Sequence, residues 1–562
     1  MLDSRERLPK GDSVAERIFV AVAWPYANYL LHAGQAAGAY LPADIFARYH
    51  RMCGNDVLMV SGSDCHGTPI TVAADSEGIT PQEVIDRYHP KILEAWERFG
   101  ISFDLFTTTL TDNHYETTQD LFTRLLEKDL LYTGTQDQLY DPEARRFLPD
   151  RYVEGICPLC GYKEARGDQC DQCGSQLDAI DLIEPRSKVS GATPEVRESE
   201  HFMLRLSAFN EQLREWVSAQ PHWRRNVANF TLGILEEGLK DRAITRDINW
   251  GVPLPVEGYE DKRIYVWFDA VIGYLSAAKE WARQSGDPEA WRLYWEDENT
   301  KAYYFIGKDN IVFHTLIWPA MLLGYGGLNL PHDVPANQYV NFSAGQKQSK
   351  SKGTATWLLD LLDTYDADVV RFYLTQIMPE TSDSEFREEE LIRANNEVLI
   401  ATWGNLANRV LAMIRRNFDG VVPEPGTLGA ESEALLATVR DGFERAGAEY
   451  AGCQFRGALR EALAVAQAAN KYLDERAPWR AVKEDRDHAA ETLYTALQAI
   501  SALTALLHPI LPFSTSKLHT TLGHEGTPES AGWMLTGVPA GRSLGEGGAL
   551  YRKLDVPEPV AT

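Results

Sequence analysis

Four of the seven cysteines stand in two C-x-x-C pairs, Cys157-Pro-Leu-Cys160 and Cys170-Asp-Gln-Cys173, separated by nine residues. Two short knuckles converging on one ion need this paired spacing, and four thiolates complete a tetrahedral zinc shell with no position left for water or substrate. The spacing predicts one structural Zn2+ per chain; disulfides are the competing use, which a reducing compartment disfavours. A second group suits phosphate. His32 and Gln35 close the turn Tyr26-Ala-Asn28-Tyr-Leu-Leu-His32-Ala-Gly34-Gln35, where a helical pattern begins, and helix N-termini offer N–H groups and a favourable dipole to anions. The small-residue loop Gln346-Lys347-Gln348-Ser349-Lys350-Ser351-Lys352-Gly353 carries three lysines, cations fit for a polyphosphate. A third candidate is the carboxylate of Asp64, directly after an apolar run; it reads as ligand-facing or as a helix N-cap.

Particular elements must hold these groups. Ile18 to Trp24 is a β-rich apolar run of the kind buried in a parallel sheet, and Ala33 to Met52 has helical spacing, with Pro42 expected to bend it near Leu41. A strand over Asp56 to Val60 and helices over Pro81 to Phe99 and His114 to Leu130 continue an α/β, Rossmann-like alternation. Strand-like runs return at Arg263 to Phe268, Tyr303 to Ile306 and Tyr339 to Phe342, and carry Trp267, Asp269, Asp309 and His314 toward their carboxyl ends. Ligands collect at such ends in an open parallel sheet. Neither a P-loop nor a G-x-G-x-x-G fingerprint is present, so His32 and the lysine loop must meet any nucleotide. Trp267 and Tyr274 read equally as core aromatics. Segments 391–417, 432–449, 455–476 and 486–509 read as amphipathic helices of an all-α bundle. On the first of them Asn405, Arg409 and Arg416 share a face, either a solvated charged face or a binding one.

The resulting layout is a first catalytic half at 1–131, an insertion with the cysteine knuckle at 132–247, a second half at 248–342, the lysine loop and a linking region at 343–390, the helical domain at 391–545 and a tail at 546–562. At 562 residues the chain exceeds one core. No run is long and apolar enough for a membrane span and the N-terminus lacks a signal peptide, so a soluble cytoplasmic protein is expected. A formal charge of −26 argues against indiscriminate binding of polyanions. It leaves room for selective RNA binding through a local basic stripe and stacked, unpaired bases.

Together, Pro25-Tyr-Ala-Asn28, His32-x-Gly34-Gln35 and Lys347-x-Ser349-Lys350-Ser351 resemble the two signatures of class I aminoacyl-tRNA synthetases, HIGH and KMSKS. Ser63-Asp64-Cys-His66-Gly67-Thr68-Pro69, Tyr265-Val-Trp267-Phe-Asp269-Ala and Phe305-Ile-Gly307-Lys308-Asp309-Asn310-Ile-Val-Phe-His314 are similar to the methionyl-tRNA synthetase family, and the likeness runs from about Arg17 to Asp555. The resemblance implies ATP-dependent attachment of L-methionine to tRNA(Met), initiator tRNA included, through methionyl adenylate, with ATP bound as its Mg2+ complex. It implies that His32, Gln35, Lys347 and Lys350 carry the catalysis, and that Asn28, Gly34, Lys308, Ser349 and Ser351 join them around ATP. Trp24, Tyr26, Asp64, Trp267, Tyr274, Asp309 and His314 would hold methionine, and Asn405, Arg409 and Trp479 would read the anticodon.

Some positions depart from the pattern: Gln35 replaces the second His of HIGH, Tyr29-Leu30 a frequent Gly-Pro, Gln348 the Met of KMSKS, and Trp24 a frequent Leu. Gln35 can donate from its amide but carries no charge. The family's occasional C-terminal dimerising module is not seen, which predicts a monomer. Two alternatives are a retuned amino-acid ligase and a catalytically weak tRNA-binding paralogue.

Overall fold

The computed structural model describes residues 15–555 apart from 168, 169, 171, 174, 176, 343–345 and 348–355, with backbone alone at 150, 342, 346 and 347. Its centre is a five-stranded parallel sheet built from β1 (Arg17–Val22), β2 (Asp56–Ser63), β3 (Leu105–Thr108), β4 (Lys301–Gly307) and β5 (Ala336–Asn337), in the order β5-β4-β1-β2-β3. The chain leaves β1 on one side to form β2 and β3 and returns on the other as β4, so β1 marks the switch point where such sheets open a crevice. The pleat explains the unbroken apolar sequence of β1. Ile18, Val20 and Val22 enter one core, shared with helix Leu41–Met52 and the C-terminal helices, while Phe19 and Ala21 enter another with helices Asp112–Glu127 and Val266–Ser285.

The helix after the first turn starts at Ala33–Gln35, passes through a π-helical segment at Ala36–Tyr40 and continues as Leu41–Met52. The winding changes just before Pro42, where a bend near Leu41 is expected: Leu41 N–H bonds Ala36 O, five residues back, and such a π-type turn accommodates the missing proline donor. One expectation is corrected. Arg263 to Phe268 is not a strand; only Arg263–Ile264 pair, and helix Val266–Ser285 begins at once. Trp267 and Asp269 therefore sit on the first turn of a helix, because a short apolar run does not by itself distinguish a strand from a buried helix.

The insertion is a long antiparallel hairpin, Leu131–Asp141 against Glu195–Leu204, registered from Leu131↔Leu204 to Tyr140↔Glu195. A small sheet with Val153–Ile156 at its centre carries the cysteine knuckle. The C-terminal region is helical: Asn405–Asn417 extends a π-helical segment, followed by Ala430–Ala451, Phe455–Arg476, Pro478–Glu484, Arg486–Leu507 and Pro512–Thr521. The last described stretch docks on it, with Tyr551 buried and its Oη 2.7 Å from Ser514 Oγ.

A buried polar clamp joins the helical region to the sheet. Arg371, fully buried, donates to Asp44 Oδ2 at 2.6 Å, to Ile510 O at 2.7 Å, to Pro509 O at 3.0 Å and to Phe99 O at 3.2 Å. Asp44 also accepts from Arg48 Nε at 3.0 Å and from the main chain and hydroxyl of Ser102. Removing one member of a buried pair strands the other charge in the interior. Asp44→Ala is expected to lower stability by roughly 3–5 kcal/mol, measured by urea unfolding; an unchanged midpoint would show that the interface does not depend on the clamp.

Candidate active site

The carboxyl ends of β1, β2 and β4 open into a cavity of about 1930 Å³ that extends into the insertion. Twelve expected site residues line it: Trp24, Tyr26, Asn28, His32, Gly34, Gln35, Asp64, Trp267, Tyr274, Lys308, Asp309 and His314. Lys350, Ser349 and Ser351 lie outside the described residues, as does the side chain of Lys347, whose backbone pairs antiparallel with Asn341.

At one end, His32 caps the helix. Its Nδ1 accepts from Gln35 N–H at 3.1 Å, and Gln35 Oε1 accepts from His32 N–H at 3.1 Å. This reciprocal capping box fixes the tautomer. With Nδ1 an acceptor, the ring proton sits on Nε2, and Gln35 keeps its amide nitrogen as the donor end. The turn is anchored to the segment after the lysine loop: Ala33 N–H bonds Thr356 O at 2.9 Å and Leu358 N–H bonds Leu31 O at 2.8 Å. Tyr29 stacks between Tyr88 and Trp357.

At the other end the walls are aromatic. Trp267 stacks on Phe313 at 4.5 Å and meets the edge of Tyr26 at 6.2 Å. Tyr274 Oη lies 2.8 Å from His314 Nε2, while His314 Nδ1 lies 2.9 Å from Asn310 O. A carbonyl only accepts, so Nδ1 carries the proton and Nε2 accepts from the tyrosine. Burial holds His314 down at about 4, so the ring is neutral. Asp64, 2 % exposed, forms the floor and accepts from His66 N–H at 3.0 Å. It does not cap the following helix, whose N-cap is Gly67 without a side-chain bond. Burial, with the nearby carboxylate of Asp269 adding to it, raises Asp64 well above the usual carboxyl range.

Between the ends, Asp309 hydrogen-bonds Tyr339 Oη, and Lys308 pairs with Asp383 at 2.8 Å while lying over the Tyr339 ring. Tyr339 and Asp383 were not identified from the sequence as site residues, nor were His66 and His114. Their only sequence signals were a place at a strand end for Tyr339 and a place beside Asp64 for His66.

In the insertion the four knuckle sulfurs lie within 4.8 Å of one another, with Cys157–Cys173 at 4.0 Å and Cys160–Cys170 at 3.6 Å. None of the four is in a disulfide. A tetrahedral zinc with Zn–S near 2.3 Å keeps its sulfurs about 3.8 Å apart, so the donor set fits that ion. Leu177 to Ile180, just after the knuckle, line the cavity.

On the helical domain Arg409 lies over the Trp479 ring at 5.1 Å and donates to Asp474 at 3.0 Å. Asn405 is exposed one turn before Arg409 on the same helix. Ala477, left-handed at φ 42°, ends one helix and starts the next, which leaves Trp479 40 % exposed.

A parallel nucleotide-type sheet entered by a capped histidine, with an inserted cysteine knuckle and a trailing helical bundle, defines a class I aminoacyl-tRNA synthetase. Residues 18–411 match the family described as tRNA synthetases class I (M), and residues 422–558 match the anticodon binding domain of methionyl tRNA ligase. The methionine–tRNA ligase of Thermomicrobium roseum is 51% identical over 567 residues, 96% of this chain and 97% of its own. That of Dehalococcoides mccartyi is 54% identical over 542 residues, 96% and 98% of the two chains. Mycobacterium tuberculosis methionyl-tRNA synthetase, solved with methionyl-adenylate bound, superposes with a TM-score of 0.80 at 27% identity, over 96% of this chain and 100% of that one. The chain belongs to the methionyl-tRNA synthetase family.

Trp24 shows how the aromatic end is shaped. A Cβ on Gly62 would stand 2.3 Å from Trp24 Cζ3, and one on Gly273 would stand 2.7 Å from Trp24 Cε2. The indole thus fills a slot left by two missing side chains, one on β2 and one on helix Val266–Ser285. Gly273→Ala should destabilise by about 1–3 kcal/mol through overpacking, whereas in a Trp24→Leu background the same change should cost little. Urea unfolding of the four proteins of this cycle checks it, and equal costs in both backgrounds would exclude the slot.

Proposed function

We propose that this chain is a methionine–tRNA ligase acting as a cytoplasmic monomer on L-methionine, ATP as its magnesium complex, and tRNA(Met), initiator tRNA included. The observation that carries this is the single cavity joining a buried carboxylate within aromatic walls to a capped histidine at a helix start. Asp64 meets the amino group of methionine. Trp24, Tyr26, Trp267, Tyr274 and His314 enclose the thioether, which packs well on aromatic faces; Asp309 contacts substrate or ribose hydroxyls.

In the first step a carboxylate oxygen of methionine attacks the α-phosphorus. The bond to the α-phosphorus forms as that from the bridging oxygen to pyrophosphate breaks, giving methionyl adenylate. Positioning and charge stabilisation carry such a step. His32 Nε2–H and the Gln35 amide donate to phosphate oxygens, Asn28, Gly34 and Lys308 shape the nucleotide side, and Lys347 and Lys350, with Ser349 and Ser351, neutralise the leaving pyrophosphate. In the second step a terminal ribose hydroxyl of tRNA takes the acyl group and AMP leaves. Asn405, Arg409 and Trp479 read the anticodon, where an exposed indole beneath a guanidinium suits an unstacked base. Cys157, Cys160, Cys170 and Cys173 hold zinc, which folds the knuckle. Among the described residues no helix is long and apolar enough to cross a membrane.

Exchange of labelled pyrophosphate into ATP tests the reading. Methionine alone among the twenty amino acids should support it, and His32→Ala should lower the rate by roughly 10²–10³, with Lys347→Ala also lowering it. Exchange with another amino acid would point to a retuned ligase; none from folded protein would point to a binding paralogue. Metal analysis of reduced protein should find one zinc per chain, lost in Cys157→Ser, and absence of stoichiometric zinc in the wild type would remove the metal assignment.

A further inference from the structure

Three buried side chains lie behind Asp64, and none of them lines the cavity: His66, His114 and Asp269. They come from three elements, the turn after β2, the first turn of helix Asp112–Glu127 and the first turn of helix Val266–Ser285. Asp269 Oδ2 lies 2.6 Å from His66 Nδ1, and Asp269 Oδ1 lies 2.5 Å from His114 Nε2. Their ligand atoms cluster closely enough to raise a metal. However, two ligands about 2.0–2.2 Å from one ion stay roughly 2.9 Å or more apart. The shorter separations are those of charge-assisted hydrogen bonds.

The two carboxylates are served unequally. Asp269 takes an imidazole donor on each oxygen. Asp64 takes the His66 peptide N–H on Oδ1, and no ion pair to it is found among the described residues. His66 therefore bridges them, its ring bonded to Asp269 and its main chain to Asp64. The ring is held from its far side as well, with Nε2 3.3 Å from Tyr115 Oη. The turn has little room to adjust: a Cβ on Gly67, which has φ +80°, would stand 2.8 Å from Val266 Cβ. The orientation of the Asp64 side chain then rests on that one peptide donor, because no other hydrogen bond to its carboxyl oxygens is found among the described residues.

We propose that Asp269 is a positioning residue for amino-acid binding: through the His66 ring and peptide N–H it aims the Asp64 carboxylate at the substrate's amino group. This rests on the role of Asp64 in the proposed ligase. Asp269→Asn keeps one acceptor oxygen but turns an NH2 toward one of the two imidazoles, so that ring loses its charge-assisted bond and is held only by accepting in its other tautomer. A 1 Å misplacement at an active site costs up to 10²-fold.

Methionine-dependent pyrophosphate exchange should show KM for methionine rising roughly 10- to 100-fold in Asp269→Asn, with kcat falling by a smaller factor and KM for ATP unmoved. His66→Ala should reproduce the rise. His66→Asn, whose amide nitrogen can donate where Nδ1 does, should recover most of the wild-type KM, and this pair carries the test if Asp269→Asn fails to fold. An unchanged methionine KM in both Asp269→Asn and His66→Ala overturns the proposal. So does an equal loss for both substrates that follows the fall in thermal stability, or a His66→Asn no better than alanine. A wild-type enzyme without methionine-dependent exchange overturns the ligase reading itself and this inference with it; normal wild-type exchange with unmoved variants overturns this inference alone.

Discussion

A carboxylate removed from water must find its compensation nearby or give up its charge, and the catalytic half of this protein is arranged around two that have been removed. Asp269, 0 % exposed, is compensated from within by two imidazoles. Asp64, 2 % exposed, is not: it has a peptide N–H, a neighbouring carboxylate and a cavity. Burial biases the Asp64 carboxyl toward its neutral form, and in the proposed ligase a cation arriving between the aromatic faces would restore its charge. An α-ammonium group carrying an apolar side chain satisfies both conditions at once.

The end of the cavity at His32 is built on a different principle. The sequence has no P-loop and no G-x-G-x-x-G fingerprint; the donors of the proposed phosphate site come from a helix start whose capping box selects the tautomer of His32. Gln35 has a part in this that a reading of its charge alone overlooks. Its carbonyl oxygen closes the capping box on His32 N–H, while its amide nitrogen stays a donor. One end of the side chain holds the helix start, and Gln35 lines the cavity. The substitution removes a positive charge from the motif without removing the geometry that aims His32.

Much of this was legible in the sequence because it is local. The β1 run, the helix start at Ala33 and the paired cysteines each announce themselves within a few residues. Tertiary effects were not legible. The stretch Val266-Trp267-Phe268 reads as a strand until the helix it opens is seen packed on the sheet. Pro42 signals a disturbed helix but not that a π-helical turn would absorb it. Asp269 was noticed for its place near a strand end, yet its partners His66 and His114 are 203 and 155 residues away in sequence, and no spacing rule connects them. The same holds for Tyr339 with Asp309, 30 residues apart.

The clamp at Arg371 makes the remaining link, between the cavity and the helices that carry Arg409 and Trp479. A greasy interface would tolerate sliding, because apolar contacts have no direction. Arg371 instead places its donors on Asp44, Phe99, Pro509 and Ile510, each of which accepts along its own line. A buried guanidinium is weak evidence of added stability, since desolvation offsets much of the attraction. Its geometric demand is what matters here. The helix that begins at the His32 cap bears Asp44 about three turns on. The bundle that presents Trp479 bears Pro509 and Ile510. In the proposed ligase, which recognises one end of a long RNA while reacting at the other, a buried arginine with its donors placed between the two elements would favour one relation of the two.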